Sequence, residues 1–145
     1  MTKRSAERME ALGYLLSDGL SYSWFGVESL DDEAVTAVVW TVEGGDDEVD
    51  TRHEITADDV ARGLRMVREY FNGERELYKG QWAFYRKDNP DWTPTKGSTD
   101  SYLYQLLEFD RTNGAEGDYD AATADMVMQY AIFGEVQYGW VHSLV

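Results

Sequence analysis

Between Thr56 and Gly73 the sequence TADDVARGLRMVREYFNG leaves little choice of conformation. Val60, Leu64, Val67 and Phe71 recur at the spacing of one face of a 3.6-residue helix. Gly63 falls on that face, where the missing side chain lets a neighbouring element come close. Thr56 is placed to cap the first turn. Its hydroxyl can accept from the Asp59 N–H, and the Asp59 carboxylate can reach back to the Thr56 N–H. Asp58 and Asp59 lie at the positive end of the helix dipole, and Asn72-Gly73 supplies the C-terminal stop. Arg62, Arg65 and Arg68 are left on the solvent side.

Around this helix the chain reads as an antiparallel sheet with further helices. Ser5 to Ser17 forms a first helix, with Met9, Leu12, Gly13 and Leu16 on one face and Gly19 beyond its end. Ser21 to Val27 alternates as a strand, and Asp31-Asp32-Glu33 makes a turn. Ala34 to Val42 is apolar on both faces, the mark of a central strand. Gly44-Gly45 lies in a hairpin connection. Glu48 to Ile55 alternates Val49, Thr51, His53 and Ile55 against Asp50, Arg52 and Glu54, so one of its faces is wet and it belongs at an edge. The helix from Thr56 follows directly and most simply packs across the sheet.

Beyond Gly73 the pattern predicts a short helix near 74–79, an extended piece from Gln81 to Arg86, and an irregular loop around Asn89-Pro90 and Thr93-Pro94. Asp100 to Asp110 is a helix with Leu103, Leu106 and Leu107 inward and Asn113-Gly114 as its stop. Asp120 caps a last helix running to Phe133. Ala124, Val127, Met128 and Ala131 make one apolar face of it, and Tyr119, Met126, Tyr130 and Phe133 a second, so it is buried between the sheet and its neighbours. Gly134 ends it, and Glu135 to Val141 alternates as a further strand. The expectation is one α+β domain over residues 1–145. Its antiparallel sheet has three or four strands, built on 21–27, 34–42 and 48–55. About four helices, near 5–17, 56–72, 100–110 and 120–133, pack against it.

Charge narrows the function classes. With 28 acidic residues against 13 basic ones, the formal net charge is −15, which opposes a general affinity for nucleic acid or anionic membrane. Solubility or tolerance of high salt explains such a balance. So does a surface that imitates a phosphate backbone or docks on a basic partner. The charge is uneven. Residues 61–87 hold Arg62, Arg65, Arg68, Arg75, Lys79, Arg86 and Lys87 against Glu69, Glu74 and Glu76, a local +4 that leaves −19 elsewhere.

The absence of cysteine removes disulfides, thiolate metal ligands and a thiol nucleophile, and suits a reducing compartment. The start, MTKRSAERME, carries no apolar signal-peptide core, and the run from Ala11 to Leu16 is too short to span a bilayer. A cytoplasmic protein without a membrane partner is expected.

No motif nominates a reaction. The acidic loop Asp110, Asn113, Glu116, Asp118, Asp120 fails the EF-hand spacing, with Thr112 and Gly114 where ligands should stand. His53 and His142 form no zinc spacing. Neither a nucleophile elbow nor a phosphate-binding glycine loop occurs. No catalytic residue, metal or cofactor is therefore assigned. The binding candidates are Arg62, Arg65, Arg68, Arg75, Lys79, Trp82, Arg86 and Lys87. Arginine interleaved with aromatics could grip phosphates and stack bases or form the centre of a protein interface. The bland account is that these arginines pair with the chain's own acids and the aromatics complete the core.

Ile55 to Arg65 (ITADDVARGLR), Phe109 to Gly114 (FDRTNG), and the stretch from Gly117 through Asp125 to Gly139, opening on GDYD and closing on FGEVQYG, resemble a group of small uncharacterised proteins of actinobacteriophages and related prophages. The likeness covers about half of the chain. It implies an accessory protein of a phage or prophage working in a bacterial cytoplasm; the partner expected for it is a host or phage protein. That group has no assigned activity, so the resemblance carries no residue role. Four lysines against nine arginines fit a GC-rich genome. The leading expectation is a non-enzymatic protein-binding module, with DNA mimicry or anti-defence activity as its sharpest form. The alternative is a nucleic-acid binder using the basic aromatic segment 62–87.

Overall fold

The computed structural model describes residues 4–21, 25–43, 49–77, 91, 93–94 and 99–137. In chain order these form α1 (Ala6–Ser21), β1 (Gly26–Asp31), β2 (Thr36–Glu43), β3 (Val49–Ile55), α2 (Ala57–Phe71), α3 (Thr99–Arg111) and α4 (Ala121–Phe133). The strands make an antiparallel sheet in the order β1-β2-β3. The fold is α+β, with one hydrophobic core shared by sheet and helices.

The centre of that core is α4, whose residues from Thr123 to Ala131 are all buried. Such all-round apolarity is what a helix enclosed by others requires. Asp120 caps it, its Oδ1 accepting from the Thr123 N–H at 2.8 Å, and Gly134 closes it in the left-handed region at φ 77°. Two helices hold α4 at close range through glycines. A Cβ on Gly63 of α2 would collide with the Val127 carbonyl oxygen, and one on Gly19 of α1 would lie 2.6 Å from Met128 Cγ and 2.8 Å from the Ala124 oxygen.

That contact explains the first departure from the expected boundaries. α1 does not stop before Gly19 but continues through it to Ser21, because the glycine serves the helix crossing rather than a helix end. The expected strand 21–27 is likewise displaced. Ser21 is helical, residues 22–24 lie outside the described residues, and β1 begins at Gly26. A bulge between Val27 and Ser29 interrupts its pairing with β2. Asp31 ends the strand, and its Oδ1 accepts from the N–H groups of Glu33 and Ala34, each at 3.1 Å. Val35 closes this hairpin at φ 57°, a strained value for a β-branched residue, and is fully buried.

β2 is central as expected and β3 is an edge, but only one face of β2 is buried. Val35, Ala37, Val39 and Thr41 point into the core, whereas Thr36 and Trp40 face outward, Trp40 being 37% exposed. Trp40 Nε1 donates to Glu28 Oε1 at 3.1 Å, and Arg52, its partner in the register, bridges Glu28 and Glu54. This outward face is a charged ladder around one tryptophan.

α2 has the expected buried face and the return half of the expected cap, the Thr56 N–H donating to Asp59 Oδ2 at 2.9 Å, while the Thr56 hydroxyl donates to that same oxygen at 3.2 Å and the Asp59 N–H bonds to the Thr56 carbonyl at 3.0 Å. Its main neighbour is α4 rather than the sheet, with α1 and α3 beside it. No short helix forms at Glu74–Leu77, which is bend and irregular backbone. The rest of the expected 74–79 helix and the extended piece 81–86 lie outside the described residues. Glu135–Gln137 is not strand, and 138–141 lie outside. Val136 instead donates a single backbone bond to the Leu77 oxygen at 3.2 Å.

Candidate functional site

Four of the eight candidate binding residues, Lys79, Trp82, Arg86 and Lys87, lie outside the described residues. The other four divide. Arg68 leans towards Asp110, at 3.8 Å, on the side of α2 where Arg8 holds that carboxylate at 2.7 Å. Arg62, Arg65 and Arg75 converge on the C-terminal end of α4.

A helix ends with carbonyls that have no intrahelical donor, and its C-terminus carries partial negative charge. Arg62 donates through Nη2 to the Ala131 oxygen at 2.5 Å and pairs through Nη1 with Asp59 at 3.0 Å. Arg75 pairs through Nε with Glu69 at 3.2 Å and points Nη1 at the Gly134 oxygen, 3.5 Å away. Two of the candidates are thus caps on a neighbouring helix. Arg65 is different. It is exposed and makes no ion pair among the described residues. Glu69, four residues on and spaced for a helical pair with it, is taken by Arg75.

The three arginines, with Met66, Ile132 and Phe133, line a concave groove of about 360 Å3. A neighbouring hollow of about 320 Å3 shares Arg62, Ala131 and Ile132 and runs on to His53 and Arg52 of β3. Thr41 Oγ1 lies 2.9 Å from His53 Nε2, and the Phe133 ring stands nearly perpendicular to the imidazole with its centre 6.5 Å away.

The largest of these hollows, about 480 Å3, lies elsewhere and has the opposite charge. It runs between α1 and the β1–β2 turn and is lined by Met9, Glu10, Tyr14, Asp32 and Glu33. Gly13 forms its floor, because a Cβ there would collide with the Asp32 carbonyl oxygen. Tyr14 is 56% exposed and donates to Glu10 Oε1 at 2.8 Å. That bond and the charges of Glu10 and Asp32 raise the phenol above its ordinary pKa. By sequence, Asp32 and Glu33 mark only a turn. The signal available was the Glu10 and Tyr14 pair at helical spacing, but nothing local placed the turn beside it.

The acidic loop after α3 holds no metal constellation. Asp110 binds Arg8, Glu116 lies 3.4 Å from Arg111, and Asp120 caps α4. Among the described residues no group of three or more potential metal ligands comes together, and none of the helices is long and apolar enough to cross a membrane. No protein family, curated protein or solved structure matches the chain.

Proposed function

We propose that this protein is a non-enzymatic binding module that recognises a basic protein through its acidic surface, with imitation of DNA towards a DNA-handling protein as the sharpest form. The observation that carries this reading is an asymmetry in how charge is used. Arg4, Arg8, Arg52, Arg62, Arg68, Arg75 and Arg111 each lie within 4.0 Å of a carboxylate. Glu10, Asp32 and Glu33 carry no ion pair among the described residues and share the groove with Tyr14. Among the described residues every arginine but Arg65 is paired within the molecule, whereas these three acids are left facing out. A basic partner would meet an uncompensated anionic groove with an aromatic wall, a setting that favours a lysine or arginine side chain. The resemblance to phage and prophage accessory proteins supports a partner in a bacterial cytoplasm.

The alternative, a nucleic-acid binder working through Arg62, Arg65, Arg68, Arg75, Lys79, Arg86 and Lys87, is the weaker reading, because a net charge of −15 opposes binding of a polyanion. The deciding experiment is affinity capture from bacterial lysate at two salt concentrations, with and without duplex DNA. Capture of a protein that DNA displaces, and that the triple variant Glu10→Gln, Asp32→Asn, Glu33→Gln no longer holds, supports the proposal. Co-purifying nucleic acid that is lost with Arg65→Ala overturns it in favour of the alternative.

A further inference from the structure

We infer that the groove between α2 and the C-terminal end of α4 binds an oxyanion, a phosphate or carboxylate, carried on a small apolar group. It is separate from the acidic groove and independent of the reading just given. Three arginines and one glutamate line it, in a chain whose net charge is −15. Capping explains only part of this. The end of α4 presents roughly half a negative charge, and Arg62 and Arg75 already reach the Ala131 and Gly134 carbonyls. Arg65 is surplus. It stands unpaired among the described residues while Glu69, the acid at helical spacing, is held by Arg75.

The arrangement is also preorganised. Asp59 and the Ala131 oxygen fix the Arg62 guanidinium, and Glu69 fixes that of Arg75. An arriving anion therefore orders only Arg65, which lowers the entropic cost of binding. Guanidinium groups match the paired oxygens of phosphate and carboxylate. Met66, Ile132 and Phe133 supply apolar wall on the same groove, and its volume of about 360 Å3 suits a small ligand. A long polyanion is disfavoured by the −19 carried outside residues 61–87. A small anion with one or two charges is not excluded by that field.

The test uses the full chain, isotopically labelled, titrated at low ionic strength with inorganic phosphate, phenyl phosphate and phenylacetate. Signals of the Arg65 guanidinium and the Ile132 methyls report the groove. Saturable shifts are expected with phenyl phosphate or phenylacetate, more tightly than with inorganic phosphate, and the stronger of the two identifies the oxyanion. Arg65→Ala should weaken binding by roughly tenfold or more, the effect of a lost charge-assisted hydrogen bond. Arg65→Lys should fall between, and Arg111→Ala, a control for overall charge, should leave binding unchanged. No saturable shift from any of the three probes, or undiminished binding by a folded Arg65→Ala, overturns the assignment.

Discussion

Gly63 on α2 lies directly against the Val127 carbonyl of α4, with no room between them for a methyl group. Gly19 on α1 makes the equivalent approach to Ala124 and Met128 from another helix. The central helix is thus seated between two glycines, and the core is drawn around it.

Substituting either glycine by alanine tests this seating. Helix propensity alone would favour alanine by about 1 kcal/mol. Overpacking against a backbone oxygen costs about 1–3 kcal/mol and should win at both positions. Urea unfolding of Gly63→Ala and Gly19→Ala is expected to show lower midpoints. A stabilised Gly63→Ala would mean that α2 and α4 are not in close contact.

Arg62 and Arg65, one turn apart, should behave unlike one another. Arg62→Ala removes a donor to the Ala131 carbonyl and an ion pair with Asp59, and should cost about 1 kcal/mol. Arg65→Ala removes no described bond and should stay within about 0.5 kcal/mol of the parent. Equal losses in chemical denaturation would remove the distinction between capping and surplus arginines.

Asp110 joins the start of the chain to α3. Arg8 pairs with its carboxylate at 2.7 Å and donates to its carbonyl at 3.2 Å, and both side chains are only about one-fifth exposed. A double-mutant cycle between Arg8→Ala and Asp110→Ala should give a coupling of about 1–3 kcal/mol that survives added salt because the pair is shielded. Arg68→Ala, at 3.8 Å and more exposed, should change stability by less than about 0.5 kcal/mol. A coupling that vanishes in salt would place the Arg8 pair at the surface.

Asp100 gives a pH signature of unusual sign for a carboxylate. Burial lifts its pKa, and the hydrogen bond from Tyr70, at 3.0 Å, draws it only part of the way back. The folded state then holds this proton more tightly than the unfolded chain. The resulting stabilisation is present below the ordinary aspartate value and fades as pH rises through the raised one. Asp100→Asn should flatten that part of the stability profile. Tyr70→Phe, by removing the hydrogen bond that lowers the value, should move the Asp100 midpoint still higher. Carbon NMR of the carboxyl group reads both, and a midpoint at or below the ordinary value would contradict the burial of this group.

What could be read from the chain was whatever repeats within a turn or a strand pair. The Thr56 and Asp120 caps, the Gly134 stop, the buried face of α2 and the alternation of β3 follow from local spacing, and the α+β class follows from their order. Local spacing also suggested the close approach at Gly63. It could not say that the neighbour was α4, nor that Gly19 serves a helix crossing. A glycine carries the same signature in both roles.

The binding candidates show the same division. Sequence alone determined that positive charge clusters in residues 61–87 and that the rest of the chain is strongly acidic. Only the tertiary structure decided which arginines are already engaged. Arg62 finds its carbonyl 69 residues away and Arg75 finds one 59 residues away, partners that no local pattern encodes. Likewise Glu10 and Tyr14 meet Asp32 and Glu33 because Gly13 lets α1 settle onto the β1–β2 turn. Short-range geometry fixes helices, strands and caps. Long-range packing fixes which charges are paired within the molecule and which face solvent.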